Sequence, residues 1–266
     1  MARQAVRDLR DRRFALPFAI EPGAPELILS PHLDDAVLDC WSVLTSGRAT
    51  EVVTLFAGVP DEPREPAPWD RICGARDVRT HVLARQAEDR EALQLVGVVP
   101  IHLSFLDEQY RQGPPPTDFA IAAGVAAKVP AVSRVYGPAT VGHGHPDHLL
   151  ARSVALRLSD AGVPTTLYAD LPYAIRFGWP RWVTGTPSDS GVDVDAYWAT
   201  SLQQLGDRPA RPRPVILEHE AAAQKLEGMR RYRTQFSALD GVVLGILSNP
   251  AIYRFEAFWE LGGDSR

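Results

Sequence analysis

Short apolar runs and amphipathic helical stretches alternate through the first two thirds of the chain. Runs rich in apolar or β-branched residues predict buried strands over residues 26–30, 51–56, 101–105, 134–136 and 166–170. Apolar residues at helical spacing predict helices over residues 36–44, 77–96, 118–129 and 149–158. Strands that alternate with helices are typical of a parallel sheet covered on both faces, so the pattern predicts an α/β fold with a mostly parallel sheet.

Beyond Pro172 this alternation loosens. Residues 181–214 are rich in Pro, Gly, Asp and Trp and are predicted to form long loops, followed by a helix over residues 218–235. No internal repeat and no linker between two domains is visible in the sequence. We therefore predict one domain over residues 1–266, with its core motifs in residues 26–170 and a loop-rich C-terminal extension over residues 171–266.

The composition narrows the class of protein. The 266 residues are 45% hydrophobic and 23% charged, which is typical of a folded globular chain. The net charge of −5 provides no positive field for nucleic acid, and no run of 18 apolar residues could span a membrane. The N-terminal segment lacks the continuous apolar region of a signal peptide, and two cysteines allow at most one disulfide. We expect a cytoplasmic enzyme without nucleic-acid or membrane partners.

Two clusters of metal-binding residue types follow two of the predicted strands. Residues 31–35 (PHLDD) follow the first strand, and residues 143–148 (HGHPDH) follow the fourth. Ligands of open α/β sheets bind at the carboxyl ends of the strands, so both clusters are expected at one edge of the sheet. Imidazole nitrogens and carboxylate oxygens suit zinc, and a catalytic zinc site commonly has three protein ligands and one open position. Two histidines and one carboxylate would fill such a site and leave other acids for proton transfer.

Each cluster alone also has a purely structural explanation. Asp34 or Asp35 could cap the helix that follows, because aspartate is a favoured N-cap residue. Residues 145–148 could form a turn in which Asp147 caps the next helix. The convergence of the two clusters favours a metal site over these alternatives.

The two segments resemble the hallmark motifs of the PIG-L/LmbE-like family of zinc-dependent N-deacetylases. The resemblance covers roughly residues 26–170, with weaker similarity near residues 225–235. It implies a Rossmann-like α/β fold and hydrolysis of N-acetylglucosaminyl or related amides. It also implies three ligands for a Zn²⁺ cofactor: His32, Asp35 and His148. Asp34 would be the general base that takes a proton from the zinc-bound water. His145 would stabilise the oxyanion or protonate the leaving amine, with Asp147 holding its charge state and orientation.

The resemblance further implies three substrate contacts and shows two departures. Arg85 and Asp107 match positions that line the site, and His143 stands where some relatives carry a tyrosine that helps polarise the carbonyl. His143 would donate a hydrogen bond instead, or face away. The commoner first motif is His-Pro-Asp-Asp-Glu, whereas this chain has Leu33 and Ala36. We expect metal binding to survive, with altered surroundings near Ala36.

Residues in the long loops are expected to have mostly structural roles. Residues 59–76 and 181–214 are expected to roof the pocket, and Arg111 is predicted to be solvated. Four loop tryptophans are expected mainly to anchor these loops, with one or two stacking on a sugar or aglycone. They are Trp69, Trp179, Trp182 and Trp198.

The main functional hypothesis is a zinc-dependent deacetylase of an N-acetylated amino sugar or a glycosylated natural product. Its partner would be a small-molecule N-acetylated sugar or glycoconjugate, and a homo-oligomer is possible. One alternative is an amidase that uses the same site to cleave a larger amide, such as a thiol conjugate. Another is a metal-dependent sugar-binding protein without catalysis, although every residue type needed for turnover is present.

Overall fold

The computed structural model describes residues 19–142, 144–188, 190–205, 210–242, 245 and 247–262. Its strands are β1 (Ala19–Ile20), β2 (Glu26–Ser30), β3 (Thr50–Thr54), β4 (Ile101–His102), β5 (Ala131–Val132), β6 (Arg134–Pro138), β7 (Thr165–Tyr168), β8 (Ala210–Ile216) and β9 (Phe255–Leu261). Its helices are α1 (Asp35–Asp39), α2 (Trp41–Leu44), α3 (Pro68–Ile72), α4 (Val78–Gln94), α5 (Asp118–Ala126), α6 (Pro146–Asp160), α7 (Arg181–Thr184), α8 (Val194–Leu202), α9 (His219–Arg230), α10 (Phe236–Val242) and α11 (Pro250–Tyr253). Short 3-10 helices span Glu108–Tyr110 and Gln203–Leu205.

Seven of these strands form one mixed sheet in the order β4–β3–β2–β6–β7–β9–β8. The first five are parallel, whereas β9 runs antiparallel to β7, and β8 runs antiparallel to β9. Renumbered along the chain, the five parallel strands have the order 3-2-1-4-5, which is the order of a Rossmann-type sheet. The predicted mostly parallel, Rossmann-like sheet with helices on both sides is confirmed. Strands β1 and β5 form a separate two-stranded parallel sheet.

The central strand β2 is apolar because both of its faces are covered. Leu27, Ile28 and Leu29 are fully buried, and the strand pairs with β3 on one side and β6 on the other. Such strands have continuous apolar runs rather than alternation, which is the pattern that predicted this strand. One hydrophobic cluster extends from Leu27 in β2 to Phe258 in β9, so the C-terminal part packs on the same core as a single domain.

Two predicted helices differ from the structure beside the motifs. The helix over residues 36–44 is divided into α1 and α2 at Cys40, where Glu256 of β9 accepts hydrogen bonds from the backbone N–H of Trp41 and Ser42. The helix over residues 149–158 begins earlier, at Pro146. His145 is its N-cap, and its Nδ1 atom accepts a hydrogen bond from the backbone N–H of Asp147. Residues 145–148 of the second motif are therefore the N-cap and first turn of α6.

The C-terminal part contains elements that the sequence pattern did not predict. The proline-rich residues 208–214 were expected to be extended loop, yet Ala210–Ile216 is the edge strand β8. An edge position tolerates proline because only one side of the strand must donate ladder hydrogen bonds. The predicted helix over residues 218–235 ends at Arg230.

Within the described part of the chain, no helix has both the length and the apolar character required to cross a membrane.

Candidate active site

Two loops meet where the strand order of the sheet reverses. Strands β2 and β6 are neighbours, paired in parallel from Glu26 and Arg134 onward. The loop of residues 31–35 follows β2, and residues 139–148 follow β6, so both lie at the carboxyl ends of adjacent strands. This crevice is the usual ligand site of open α/β sheets. The predicted convergence of the two clusters is confirmed, because three of their side chains approach within the reach of one ion.

Three buried side chains could hold a metal ion at this point. The Nδ1 atom of His32 lies 3.3 Å from Nε2 of His148 and 3.6 Å from Oδ2 of Asp35. The third side of this triangle, from His148 Nε2 to Asp35 Oδ2, is 3.5 Å. A tetrahedral zinc ion with ligand bonds of about 2.0–2.2 Å requires ligand atoms roughly 3.3–3.6 Å apart. The triangle therefore fits zinc, and it consists of the three residues implied as ligands by the sequence.

The first loop is closed by hydrogen bonds that fix His32 and Asp35. Ser30 Oγ donates to the carbonyl of His32 at 2.7 Å and accepts from the backbone N–H of Ala36 at 3.1 Å. The backbone N–H of His32 donates to Asp35 Oδ2 at 2.7 Å. Leu33 and Ala36 are 1% exposed and belong to the protein interior. Their departure from the commoner motif therefore leaves the three ligand atoms in place.

A carboxylate that the sequence reading missed orients His148. Asp170 Oδ2 lies 3.0 Å from His148 Nδ1, and Asp170 Oδ1 accepts a hydrogen bond from the backbone N–H of Thr140 at 2.8 Å. A carboxylate on the outer nitrogen leaves the inner nitrogen, Nε2, free to bind a metal. The available signal was position: Asp170 is an acidic residue at the end of the fifth predicted strand, at the same sheet edge as the motifs.

The carboxylate of Asp147 contacts His32, whereas its expected partner, His145, receives a hydrogen bond from the Asp147 backbone N–H. Its Oδ2 atom lies 3.1 Å from His32 Nε2 and accepts from the backbone N–H of Glu108 at 2.9 Å. Its Oδ1 atom forms an ion pair with Arg111 at 2.6 Å. Burial alone would raise the pKa of Asp147, but the hydrogen bond and charge of His32, together with Glu108 and Arg111, lower it to about 2. The prediction that Arg111 is solvated is wrong, because its side chain is 11% exposed and holds this carboxylate.

Ligand atoms of His32, His145 and Asp147 form a second group that could in principle bind a cation. The Asp147 carboxylate is, however, already held by Arg111 and by the Glu108 N–H. A cation there would have to compete with a guanidinium ion. The three-residue triangle with Asp35 is therefore the better metal site.

His145 faces the site as a neutral hydrogen-bond donor. Its ring centroid is 4.8 Å from that of His32 in an edge-on arrangement. Desolvation and the neighbouring His32 lower the pKa of His145 to about 4, so the ring is neutral near pH 7. Because its Nδ1 atom accepts from the Asp147 N–H, a neutral ring carries its proton on Nε2. That proton is available to a negatively charged oxygen or an amine.

Asp34 is a carboxylate placed in the cavity without a capping role. It occupies the N-cap position of α1, but its side chain makes no cap hydrogen bond there. Burial and the adjacent Asp35 raise the pKa of Asp34 to about 6, while Arg85 opposes the shift. A carboxylate with a raised pKa in a cleft has the proton affinity that a general base requires.

The remaining predicted contacts are placed as follows. Arg85, on α4, is buried, and its Nη1 atom lies 3.8 Å from Asp107 Oδ2. Asp107 is in turn 3.9 Å from His32 Nε2, and both residues line the cavity. His143 lies outside the described residues. Arg85 and Asp107 thus join the site as the resemblance implied.

The cavity above these groups has a volume of about 320 Å³. We call its ionisable lining residues the floor: His32, Asp34, Asp35, Arg85, Asp107, Glu108 and His145. We call its other lining residues the wall, and they include seven that the sequence did not assign to a site: Leu38, Gln109, Leu171, Pro172, Tyr173, Gln235 and Leu239. Residues 59–76, which were expected to roof the pocket, add Pro68 and Trp69 to this wall. Of the described residues, the segment 181–214 contributes no lining side chain.

Fold and site together define a Rossmann-like α/β protein with a His–Asp–His cluster that could hold a metal at the switch point of the sheet. Residues 27–159 match the model of the family described as PIG-L: GlcNAc-PI de-N-acetylase. The match covers half of the chain, and the chain belongs to this family. The resemblance found in the two motifs is thereby confirmed.

Individual relatives are also similar to this chain. The 2'-N-acetylparomamine deacetylase of Niallia circulans is 27% identical over 193 residues; the match covers 55% of this chain and 66% of that protein, a little under two thirds of its length. The crystal structure of the deacetylase of the antimicrobial A40926 pseudoaglycone is 26% identical with a TM-score of 0.66, covering 92% of this chain and 100% of that one. A triple mutant of a deacetylase of the teicoplanin biosynthetic pathway is 26% identical with a TM-score of 0.66, covering 91% and 100%.

Proposed function

We propose that this chain is a metal-dependent N-deacetylase that removes the acetyl group from an amino sugar of a glycosylated natural product. The observation that carries the proposal is the triangle of His32, Asp35 and His148, of which His32 and Asp35 line one cavity with Asp34 and His145. Membership of a de-N-acetylase family supports the reaction. The similarity to deacetylases of a pseudoaglycone and of an N-acetylated paromamine supports a glycosylated substrate.

The donor set suits zinc, which His32, Asp35 and His148 would hold. When bound, zinc lowers the pKa of water to about 7 and polarises a carbonyl oxygen. Asp34 would take the proton of the attacking water, since its carboxylate lies in the cavity and is not engaged in capping the helix. A positioned general base of this kind contributes roughly 10²–10⁴-fold to a rate.

His145 would stabilise the charge that develops on the acyl oxygen, and Asp34 would return a proton to the leaving amine. Attack on the acetyl carbon places negative charge on the carbonyl oxygen, and a fixed N–H donor in a dry site stabilises that charge. The Nε2–H of neutral His145 is such a donor. Collapse of the tetrahedral carbon requires a proton on the nitrogen, and the carboxyl of Asp34, protonated in the first step, can return it.

Four further residues would act on the substrate or on the catalytic groups. Arg85 and Asp107 line the cavity and offer a donor and an acceptor for sugar hydroxyl groups. Asp147 would orient His32 through Nε2, so that Nδ1 faces the metal. His143 is proposed as an additional substrate contact from the motif alone.

The proposal is tested by measuring acetate release from a panel of N-acetylated amino sugars, from the free sugar to glycosylated aglycones. We expect release that is lost after dialysis against a chelator and restored by Zn²⁺. A matched panel with bulkier acyl groups tests the amidase alternative, which predicts faster cleavage of the larger amides. Saturable sugar binding without any amide cleavage, or acetate release that persists without metal, would contradict the proposal.

A further inference from the structure

Trp69 lies in the cavity wall with its polar edge already bound. Its indole Nε1–H donates to Gln235 Oε1 at 2.8 Å, and Trp69 lines the same cavity as His32, Asp34 and His145. Indole has one hydrogen-bond donor and no acceptor. With that donor used by the protein, Trp69 can offer a ligand only its apolar ring.

The partner of this indole is itself fixed in the interior. Gln235 is 1% exposed, and its Nε2 atom lies 3.3 Å from His81 Nε2 and 3.3 Å from Thr234 Oγ1. Both ends of the Gln235 amide are therefore occupied. A glutamine satisfied in this way serves to hold the indole rather than to bind a ligand.

Asp70, the residue after Trp69, anchors helix α3. Asp70 is fully buried, accepts from Tyr110 Oη at 2.6 Å and accepts from the backbone N–H of Ala67 at 2.9 Å. Tyr110 belongs to the segment after β4, so α3 is tied to the body of the protein from a second direction. The ring of Trp69 is thus held in place before any ligand binds, which lowers the entropic cost of stacking on it.

The wall to which Trp69 belongs is mostly apolar, in contrast to the floor of the cavity. Leu38, Pro68, Leu171 and Leu239 line the cavity together with this ring, whereas the floor carries carboxylates, imidazoles and a guanidinium. The volume of about 320 Å³ is at the lower end for small-molecule sites. A cavity of this size holds about one N-acetylated sugar over the floor, so that whatever the sugar carries must lie along the wall.

We propose that Trp69 is a specificity-determining residue that stacks on an aromatic group linked to the N-acetylated sugar. The inference rests on the proposed function and narrows its substrate class to aryl glycosides. The indole ring, the leucines and the proline match the apolar faces of an aromatic aglycone, while the sugar occupies the polar floor. Stacked aromatic pairs are stabilised beyond the burial of their area. The wall contains two aromatic rings: Tyr173 packs edge-on against His148 beside the ligand atoms, and Trp69 is the ring held by Gln235.

The test compares two substrates that differ only in the aglycone, 4-nitrophenyl and methyl N-acetyl-β-glucosaminide, with the zinc-loaded full-length protein. The readout is the ratio of kcat/KM for the aryl glycoside to kcat/KM for the methyl glycoside. We expect this ratio to fall about tenfold in Trp69→Ala and to stay within about twofold of wild type in Trp69→Phe, which keeps a stacking ring. The loss in Trp69→Ala should come mainly from a higher KM for the aryl glycoside.

Trp182→Phe is the matched control, because Trp182 packs against Trp198 and Trp259 away from this cavity. A ratio that is unchanged in Trp69→Ala overturns the inference, whether the two rates fall together or not at all.

If the wild type releases acetate from neither glycoside, the proposed function fails for these sugars. The affinities of the two deacetylated products, measured by calorimetry, then decide the role of Trp69. A preference for the aryl product that Trp69→Ala abolishes supports it, and equal affinities overturn it.

Discussion

The floor and the wall of the cavity come from two regions that the sequence reveals to different degrees. The floor is built mainly at the ends of β2 and β6, where specific residue types are needed for chemistry and form short recognisable motifs. The wall is built from Trp69 and from residues in the segments 171–173 and 235–239, where apolar surface and a fixed indole suffice. Chemistry restricts residue identity more than packing does. The motifs therefore point to the reaction, while the substrate must be inferred from the structure.

The largest effect is expected on the floor, at Asp34. Asp34→Asn preserves the size of the side chain but removes its ability to accept a proton. We predict that kcat for acetate release falls about 10²–10⁴-fold while the zinc content stays at the wild-type value. Asp61→Asn, an exposed change in the loop before α3, is the control. An unchanged kcat in Asp34→Asn would remove Asp34 from the role of base.

The next expected effect is on the free energy of unfolding. Its size shows whether the C-terminal region is integral to the fold. Lys225 and Glu256 form a fully buried ion pair with a distance of 2.9 Å, and Glu256 also accepts from the N-terminus of α2. Lys225→Met leaves the buried carboxylate unpaired, so we predict a loss of about 3–5 kcal/mol in the free energy of unfolding, measured with urea.

The chain provides a matched control for this substitution. Lys128, the other lysine, is exposed, and Lys128→Met should change the free energy of unfolding by no more than about 0.5 kcal/mol. Equal effects of the two substitutions would show that the Lys225–Glu256 pair does not stabilise the contact between β9 and the start of α2.

A smaller effect is expected at Asp170, which contacts His148 from outside the two motifs. Asp170→Asn weakens the hydrogen bond that fixes the His148 ring. We predict a 10–100-fold loss of zinc affinity, measured by competition with a fluorescent chelator. Glu227→Gln, an exposed change on α9, should leave the affinity unaltered. Wild-type affinity in Asp170→Asn would contradict the assigned role.

The smallest effect is expected on the wall, at Gln235. Gln235→Leu removes the acceptor of the Trp69 indole N–H, so the ring loses its fixed position. We predict that KM for the aryl glycoside rises about threefold, with a smaller change in kcat, which corresponds to the loss of one neutral hydrogen bond. Gln203→Leu, at an exposed position, is the control. A fall in kcat without a change in KM would place Gln235 in the chemistry rather than in the wall.

The sequence predicted the parallel part of the sheet well because fully buried strands require continuous apolar runs. Strand β2 has the predicted bounds, whereas β4 is three residues shorter than residues 101–105 and ends at His102. Strand β8 was not predicted, since its alternating arginines and prolines are typical of a loop. It becomes a strand only by pairing with β9 over seven residue pairs. Tertiary pairing of this kind leaves little local signal.

The candidate ligands were predictable because the family motif specifies them, and their spacing in the structure fits one ion. The contacts that orient these ligands could not be predicted in the same way. Arg111 and Asp170 act through Asp147 and His148, and each lies in a different segment from the residue that it holds. Sequence spacing carries no information on such pairs, because the topology of the sheet alone brings them together.

All the proposed roles depend on one divalent ion bound between the loops that follow β2 and β6. The most direct measurement is the zinc content of the purified protein after equilibrium dialysis, for wild type, His32→Ala, His148→Ala and His219→Ala. His219 is exposed at the start of α9 and serves as the control. We expect one zinc ion per chain in the wild type and the control, and a large loss in both His32→Ala and His148→Ala. Full zinc content in either of these two variants would contradict this expectation.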